Sequence, residues 1–111
     1  MVLNALEARK LPIYGDGRNV RDWLHVDDHC AALQLVLQKG TPGQSYNVGA
    51  GNEQMNIALV DQLCTALDVV YPAASNAAMA AVGATTYSAL KTFVADRPGH
   101  DRRYAVDASK L

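Results

Sequence analysis

The residues best suited to chemistry lie between Asp96 and Tyr104, where three arginines and one histidine fall within eight residues. Guanidinium groups suit a phosphate or a diphosphate because their forked donors bind two oxygens at once. Pro98 and Gly99 predict a turn that brings side chains and amides together around one object. From composition alone, a phosphate site and a solvated face of ion pairs with Asp96 and Asp101 are equally good interpretations.

Arg21 lies outside this segment and could supply a second positive group. It belongs to the run from Val20 to Val26, whose alternation predicts a strand. Trp23 is close along the chain, so a large aromatic side chain would accompany the guanidinium. We expect Arg21 and Arg97 to converge on one diphosphate from two sides.

Two other motifs are better explained by a structural role than by metal binding or catalysis. His25 and His29 have the spacing of a zinc motif, but the predicted helix begins between them with Asp27 as its N-cap, so their imidazoles should diverge. Tyr87 and Lys91 have the spacing of the proton-transfer pair of short-chain dehydrogenases. No cofactor-binding fold precedes that pair, so we interpret it as a chance match.

The two Gly-x-Gly sequences invite comparison with dinucleotide-binding loops. They are Gly15-Asp16-Gly17 and Gly49-Ala50-Gly51, and Val20 and Gln54 stand where the third glycine of the fingerprint would be. Neither runs from a hydrophobic strand into a helix with an acidic partner downstream. Both are predicted to be turns.

Composition excludes several classes of protein. The chain has 111 residues, half of them hydrophobic, and a formal net charge of −1. This predicts a folded domain with one modest core, and argues against disorder, a membrane span and general nucleic-acid binding. Cys30 and Cys64 lie in predicted helices without a Cys-x-x-Cys motif, so we expect buried free thiols. No signal peptide is recognisable, and we expect a cytoplasmic location.

The hydrophobic pattern predicts helices alternating with short strands, which favours an α/β fold. The helices are predicted over 1–10 and 27–39 and from Asn56 as N-cap, with a buried stripe of Ile57, Val60, Leu63, Cys64 and Leu67. Strands are predicted over 11–14, 20–26, 44–48, 92–95 and 104–106. The alanine-rich segment 71–86 predicts a loop with a helical piece. The first helix has no start signal, which suggests that the chain once began earlier.

Four segments carry a family resemblance: 11–17, 21–29, 46–49 and 96–107. The most specific are Arg-Asp-Trp-Leu from Arg21 and Arg-Pro-Gly-His-Asp-Arg-Arg-Tyr from Arg97. Together they resemble the dTDP-glucose 4,6-dehydratase family of the extended short-chain dehydrogenase/reductase superfamily. The resemblance implies that residues 1–111 form one nucleotide-sugar-binding C-terminal lobe of short strands and helices. The Rossmann domain that binds NAD would precede it and is missing from these residues.

The resemblance also implies the reaction. The full-length family member dehydrates dTDP-glucose to dTDP-4-keto-6-deoxyglucose: NAD+ oxidises C4, water leaves from C5 and C6, and the hydride returns to C6. The cofactor and the proton-transfer groups belong to the N-terminal domain, so we expect this chain alone to be inactive. A homodimer is usual for the family but is not predicted by these residues.

Residue by residue, the resemblance implies a binding site for the nucleotide sugar. Arg21 and Arg97 match diphosphate arginines, Asn56 matches a substrate-contacting asparagine, and residues 12–14 match the segment against the nucleoside. The expected substrate-binding residues are Pro12, Ile13, Tyr14, Arg21, Asn56, Asp96, Arg97, Pro98, Gly99 and His100. Asn56 is also a predicted helix cap, and both roles are compatible because helix N-termini bind anions. Ordinary packing remains an alternative to stacking for Tyr14.

Two alternative functions stay open. The chain could belong to another nucleotide-sugar epimerase or dehydratase of the same superfamily, since such enzymes share the Gly-Asp-Gly turn. It could also be a non-catalytic remnant that binds a sugar nucleotide.

Overall fold

The computed structural model of the protein describes all 111 residues and confirms the mixed α/β class. In chain order its elements are helix α1 (Val2–Leu6), strand β1 (Leu11–Tyr14), strand β2 (Val20–Asp22), helix α2 (Val26–Lys39), strand β3 (Glu53–Met55), helix α3 (Asn56–Val70), a 3-10 turn (Ala73–Ser75), helix α4 (Ala77–Ala81), a second 3-10 turn (Tyr87–Leu90) and strand β4 (Lys91–Val94). The chain divides into two compact units. The first comprises Met1–Asn19 and Met55–His100, and the second Val20–Gln54 and Asp101–Leu111.

The hydrophobic core lies in the first unit and begins with β1. Leu11 and Ile13 are buried, whereas Pro12 is half-buried and Tyr14 is exposed, because successive side chains of a strand point to opposite faces. β1 pairs in parallel with β4, with Leu11 opposite Lys91 and Tyr14 opposite Val94. This pairing confirms β1 and places β4 one residue before its predicted position.

Helix α3 contributes the other half of the core. Val60 and Cys64 of its predicted stripe are buried, and Ile57 and Leu67 pack against the core from the edge, which confirms the helical period. The predicted Asn56 cap is wrong: Met55 is the N-cap and makes no side-chain capping bond. Main-chain carbonyls replace it, since Asn56 N donates to Asn19 O (2.9 Å) and Ile57 N to Gly17 O (2.9 Å).

Tyr87 and Lys91 both have structural partners. The Tyr87 ring is fully buried, and its hydroxyl donates to the Tyr71 carbonyl (2.9 Å) and accepts from Asn76 Nδ2 (3.2 Å). The Lys91 ammonium forms an ion pair with Asp61. A buried phenol with its hydrogen bonds satisfied stabilises the core, as expected for a chance Tyr-x-x-x-Lys match.

In the second unit the predicted strands are largely replaced by other contacts. The strand predicted over 20–26 ends at Asp22, and no strand forms over 44–48 or 104–106. β2 pairs instead with β3, which the sequence did not predict. Val20 N also donates to Arg102 O (2.8 Å), and Tyr104 N donates to Val20 O (3.0 Å), so the final segment forms a single bridge with β2.

Helix α2 ends at Lys39 as predicted, but its start and its environment differ from the prediction. Its N-cap is His25, whose Nδ1 accepts from Asp27 N (3.3 Å), so the Asp27 cap is wrong by two residues. No residue of α2 is buried, and Leu37 is 87% exposed although Leu33 and Leu37 lie one helical turn apart. The period fixes which residues share a face, but tertiary contacts decide whether that face is covered.

None of the helices is both long and apolar enough to cross a bilayer.

The thiols of Cys30 and Cys64 should react at very different rates with an alkylating reagent. Cys30 is exposed, which makes the expectation of a buried thiol wrong for this residue, whereas Cys64 is 1% exposed and its burial raises the pKa of its thiol. We expect iodoacetamide at pH 8 to alkylate Cys30 at least about tenfold faster than Cys64, because the reagent needs an accessible thiolate. Peptide mass spectrometry over a time course measures both rates.

Guanidinium chloride is the control, since unfolding should make the two alkylation rates equal. Equal rates in the native protein would contradict the placement of Cys64 in the core.

Candidate functional site

The carboxyl ends of β1 and β4 meet at one edge of their sheet because the strands are parallel and Tyr14 lies opposite Val94. The ladder continues one step further, as Gly15 N donates to Val94 O (3.0 Å). β4 is followed immediately by the segment 95–100. Residues that are 80 positions apart in the sequence are thereby brought together at the strand ends.

A tight turn shapes the segment after β4. His100 N donates to the Arg97 carbonyl (3.1 Å), Pro98 occupies the second position, and Gly99 has a φ of +67° at the third. These are the features of a type II turn, which needs a left-handed residue at its third position. The predicted turn is confirmed, and it brings the side chains of Arg97 and His100 into contact, with Arg97 Nη2 2.9 Å from His100 Nε2.

Asp96 contacts the first and the last residue of this turn. Its Oδ1 accepts from Arg97 N (2.8 Å) and is 2.6 Å from His100 Nδ1. The hydrogen bond from His100, and secondly that from the Arg97 amide, hold the pKa of Asp96 below its ordinary value. The Asp96 carboxylate is therefore charged at neutral pH and orients the His100 ring.

Tyr14 forms the aromatic wall of the site. The Arg97 guanidinium carbon lies 5.3 Å from the centre of the Tyr14 ring, within reach of a cation–π contact. The His100 ring meets Tyr14 edge to face, with centroids 6.3 Å apart and planes at 84°. Tyr14, Asp96, Arg97 and His100, which we call the Arg97 cluster, are thus brought together as a contiguous group.

The charge of Arg97 is not neutralised by a directly bonded carboxylate, since its guanidinium hydrogen bond goes to an imidazole nitrogen. Arg103 differs, because its guanidinium forms two hydrogen bonds of 2.8 Å with the Glu53 carboxylate, which raise the pKa of Arg103. The ion-pair interpretation of the arginine-rich segment therefore applies to Arg103, whereas the guanidinium of Arg97 has no such carboxylate partner.

Arg21 is held in the second unit by different contacts. It donates to the carbonyls of Val20 (2.7 Å) and Asp101 (2.9 Å), and its guanidinium lies over the Tyr104 ring, 4.3 Å from the centre. The Tyr104 hydroxyl is hydrogen-bonded to the Asp101 carboxylate. Sequence reasoning assigned Tyr104 no role of its own, although its place at the end of the arginine-rich segment was a signal. Because Arg21 and Arg97 belong to different units, their convergence stays a prediction.

The remaining predicted site residues divide by burial. Ile13 is 3% exposed and belongs to the core, so only its main chain could meet a ligand. Pro12 is half-buried, and Pro98 and Gly99 are exposed on the turn. Asn56 Oδ1 is buried without a hydrogen-bond partner. A buried acceptor without a partner costs about 1–3 kcal/mol, which a donor group on a ligand would offset.

A family model described as GDP-mannose 4,6 dehydratase matches residues 1–111, and the chain belongs to this family of nucleotide-sugar dehydratases. Proteins similar to the chain include dTDP-glucose 4,6-dehydratases, which confirms the resemblance found in the sequence. The probable dTDP-glucose 4,6-dehydratase of Sinorhizobium fredii (strain NBRC 101917 / NGR234) is 52% identical over 111 residues, which are all of this chain and 29% of that protein.

Two solved structures are similar over 98% of the chain and 29% of their own chains. The dTDP-glucose 4,6-dehydratase of Bacillus anthracis str. Ames, in complex with NAD, is 46% identical with a TM-score of 0.72. The dTDP-glucose 4,6-dehydratase of Streptomyces venezuelae, with NAD and TYD bound, is 41% identical with a TM-score of 0.75. The chain therefore spans about 29% of the length of the relatives it matches.

The residues of this chain do not fit an NAD site. In dinucleotide-binding folds the glycine loop runs from a strand into a helix, and its second glycine leaves room for the pyrophosphate. Here Gly15–Gly17 leads into β2, and a Cβ on Gly17 would lie 2.7 Å from Ile13 and 3.0 Å from Ile57, so that space is filled by protein. The Gly49–Gly51 loop leads into β3 instead of a helix.

The Gly49–Gly51 loop is held by a carboxylate. The Asp22 side chain accepts from Ala50 N (2.9 Å), Gly51 N (3.3 Å) and Asn52 N (2.8 Å). A loop whose amides already bond to Asp22 cannot offer them to a phosphate. Both glycine turns are therefore structural.

Replacing Gly15 should disturb the Arg97 cluster directly. Gly15 has a φ of +56°, and a Cβ there would lie 2.7 Å from Asp96 Oδ2. We expect Gly15→Ala to lower the free energy of unfolding by about 1–3 kcal/mol, because it combines backbone strain with displacement of the carboxylate. Urea denaturation followed by circular dichroism measures the change.

Gly83→Ala is the matched control, since Gly83 has a φ of +67° and no heavy atom within 4 Å of the added Cβ. It isolates the backbone cost. Equal losses for the two variants would show that Asp96 does not pack against Gly15.

Proposed function

We propose that the chain forms the nucleotide-sugar-binding portion of a dTDP-glucose 4,6-dehydratase, an NAD-dependent lyase. The observation that carries this proposal is the Arg97 cluster: an exposed guanidinium, directed by an imidazole and lying over an exposed tyrosine ring, at the edge where two parallel strands end. The similarity to dehydratases over the whole chain supports the same conclusion.

Two members of the Arg97 cluster, together with Asn56, suit parts of a nucleoside diphosphate sugar. Arg97 provides forked donors for the diphosphate oxygens, since one of its N–H groups is used by His100 and the others are not fixed by that bond. The exposed Tyr14 ring provides an apolar surface for the nucleoside. Asn56 Oδ1 provides an acceptor for a hydroxyl or an amide of the ligand.

The chain is expected to bind its ligand without completing the reaction. When bound, NAD would supply the hydride acceptor, and the residues present here do not fit it. Binding the nucleotide sugar orients it but supplies neither a hydride acceptor nor a general acid and base. The dehydratase activity therefore needs residues beyond these 111, and we expect the complete enzyme to be a homodimer, as is usual for the family.

The net charge indicates which other partners to expect, and the cysteines indicate the location. A net charge of −1 favours a small anionic ligand at a local site over nucleic acid, and we expect no membrane partner. Both cysteines are free, which suits a cytoplasmic protein in a reducing compartment.

The description of the matching family favours one alternative, a GDP-sugar as substrate. Competition among dTDP, UDP and GDP for the site separates the candidates. We expect dTDP to displace a fluorescent dTDP analogue at least about tenfold more effectively than UDP or GDP, a difference of roughly 1.4 kcal/mol. Preference for GDP would support the alternative, and failure of all three nucleotides would overturn the assignment of a nucleotide-sugar site.

Removing the guanidinium should weaken binding strongly. We expect Arg97→Ala to lose roughly 2–4 kcal/mol of dTDP-glucose binding, the scale for breaking a desolvated charged pair. Isothermal titration calorimetry on the full-length protein measures this loss.

Arg9→Ala is the matched control, because it removes the same charge from the same unit at an exposed residue paired with Glu7. Unchanged affinity in Arg97→Ala, or an equal loss in Arg9→Ala, would remove Arg97 from the binding site.

A further inference from the structure

The contact between Arg97 and His100 determines where the imidazole carries its proton. Arg97 Nη2 lies 2.9 Å from His100 Nε2. A guanidinium is always protonated and can only donate, so Nε2 must accept with its lone pair. The ring proton is then on Nδ1, which donates to Asp96 Oδ1 over 2.6 Å. The three side chains form a directed chain of hydrogen bonds from Arg97 through His100 to Asp96.

We propose that His100 is a positioning residue for Arg97: Asp96 fixes the tautomer of the imidazole, and the lone pair of the imidazole fixes the direction of the guanidinium that binds the diphosphate. This inference rests on the proposed function for the identity of the anion. The hydrogen-bond chain itself belongs to the protein without ligand.

Burial favours this indirect role over direct contact between His100 and a phosphate. The His100 side chain is 5% exposed, and both of its nitrogens are engaged, Nδ1 by Asp96 and Nε2 by Arg97. No ring N–H is left to donate to an anion. Arg97 is exposed, and its guanidinium has five N–H donors, of which His100 takes one.

The geometry also explains why a flexible arginine would be held in one place. An arginine side chain loses roughly 2 kcal/mol of rotamer entropy when it is fixed. The Tyr14 ring restrains the guanidinium from one face, and the His100 lone pair restrains it at its edge. Part of the ordering is therefore done before the ligand arrives, which strengthens binding.

Two amide variants separate the two nitrogens of the ring. In His100→Gln the amide reaches the place of Nε2, and its oxygen can accept from Arg97. In His100→Asn the amide reaches only the place of Nδ1, where it can donate to Asp96 but cannot reach Arg97. We expect dTDP affinity to fall about tenfold or more in His100→Asn, the scale of a lost hydrogen bond to a charged group, and by less than about threefold in His100→Gln.

A double-mutant cycle with Arg97→Ala tests whether His100 acts through Arg97. In the Arg97→Ala background, His100→Asn should cause no further loss of dTDP affinity, since the group that it positions is already gone. Additive losses, or equal losses in the Asn and Gln variants, would overturn the proposal. The affinities are measured by calorimetry on the full-length protein. A thermal melt of each variant checks that it folds.

Nuclear magnetic resonance of the unliganded wild-type protein supplies a readout that does not depend on nucleotide binding. Long-range proton–nitrogen spectra distinguish an Nδ1–H imidazole from an Nε2–H one, and His100→Gln identifies the His100 signals by their disappearance. The Nδ1–H tautomer is expected, and an Nε2–H tautomer would overturn the positioning role. Absence of dTDP binding in a protein with the Nδ1–H tautomer would instead count against the proposed function alone.

Discussion

The parallel pairing of β1 with β4 is the constraint on which the rest of the first unit depends. Its register, with Tyr14 opposite Val94, fixes two things at once. One face of β1 places Leu11 and Ile13 in the core, and the shared carboxyl edge places Tyr14 beside the turn that follows β4. A one-residue slip in this register would exchange the faces and separate the cluster, because side chains alternate along a strand. Core and site therefore depend on the same hydrogen bonds.

A common arrangement appears at both predicted diphosphate arginines. Arg97 lies over Tyr14 in the first unit, and Arg21 lies over Tyr104 in the second. Each guanidinium also has an acceptor at its edge, an imidazole nitrogen for Arg97 and main-chain carbonyls for Arg21. An aromatic face restrains the plane of a guanidinium without neutralising its charge, unlike the carboxylate that pairs with Arg103.

The sequence predicted features that depend on local periodicity or turn chemistry. The α3 stripe with Val60 and Cys64, the β1 strand and the turn at Pro98 and Gly99 are confirmed because each follows from a short pattern. The predicted end of α2 at residue 39 is also confirmed, with Gly40 as the C-cap. Motif resemblance found the residues of the Arg97 cluster, but the hydrogen bonds between them depend on strand register, which no local pattern specifies.

The predictions that failed concern features decided by tertiary contacts. The carbonyls of Gly17 and Asn19 satisfy the start of α3, so a side-chain cap at Asn56 is unnecessary. β3 forms because its neighbour is β2, although the residue types of Glu53–Met55 do not alternate between apolar and polar. Cys30 of α2 was expected to be buried and is exposed, because the same helical period describes a covered face and an uncovered one.

The Asp22 carboxylate has a consequence for its neighbour in the chain. By bonding three successive amides of the 50–52 loop, it anchors the backbone immediately after Arg21. Val20, on the other side, is tied by its amide and carbonyl to the final segment. The backbone on both sides of Arg21 is therefore held by hydrogen bonds, and little conformational freedom remains to the backbone of Arg21 itself.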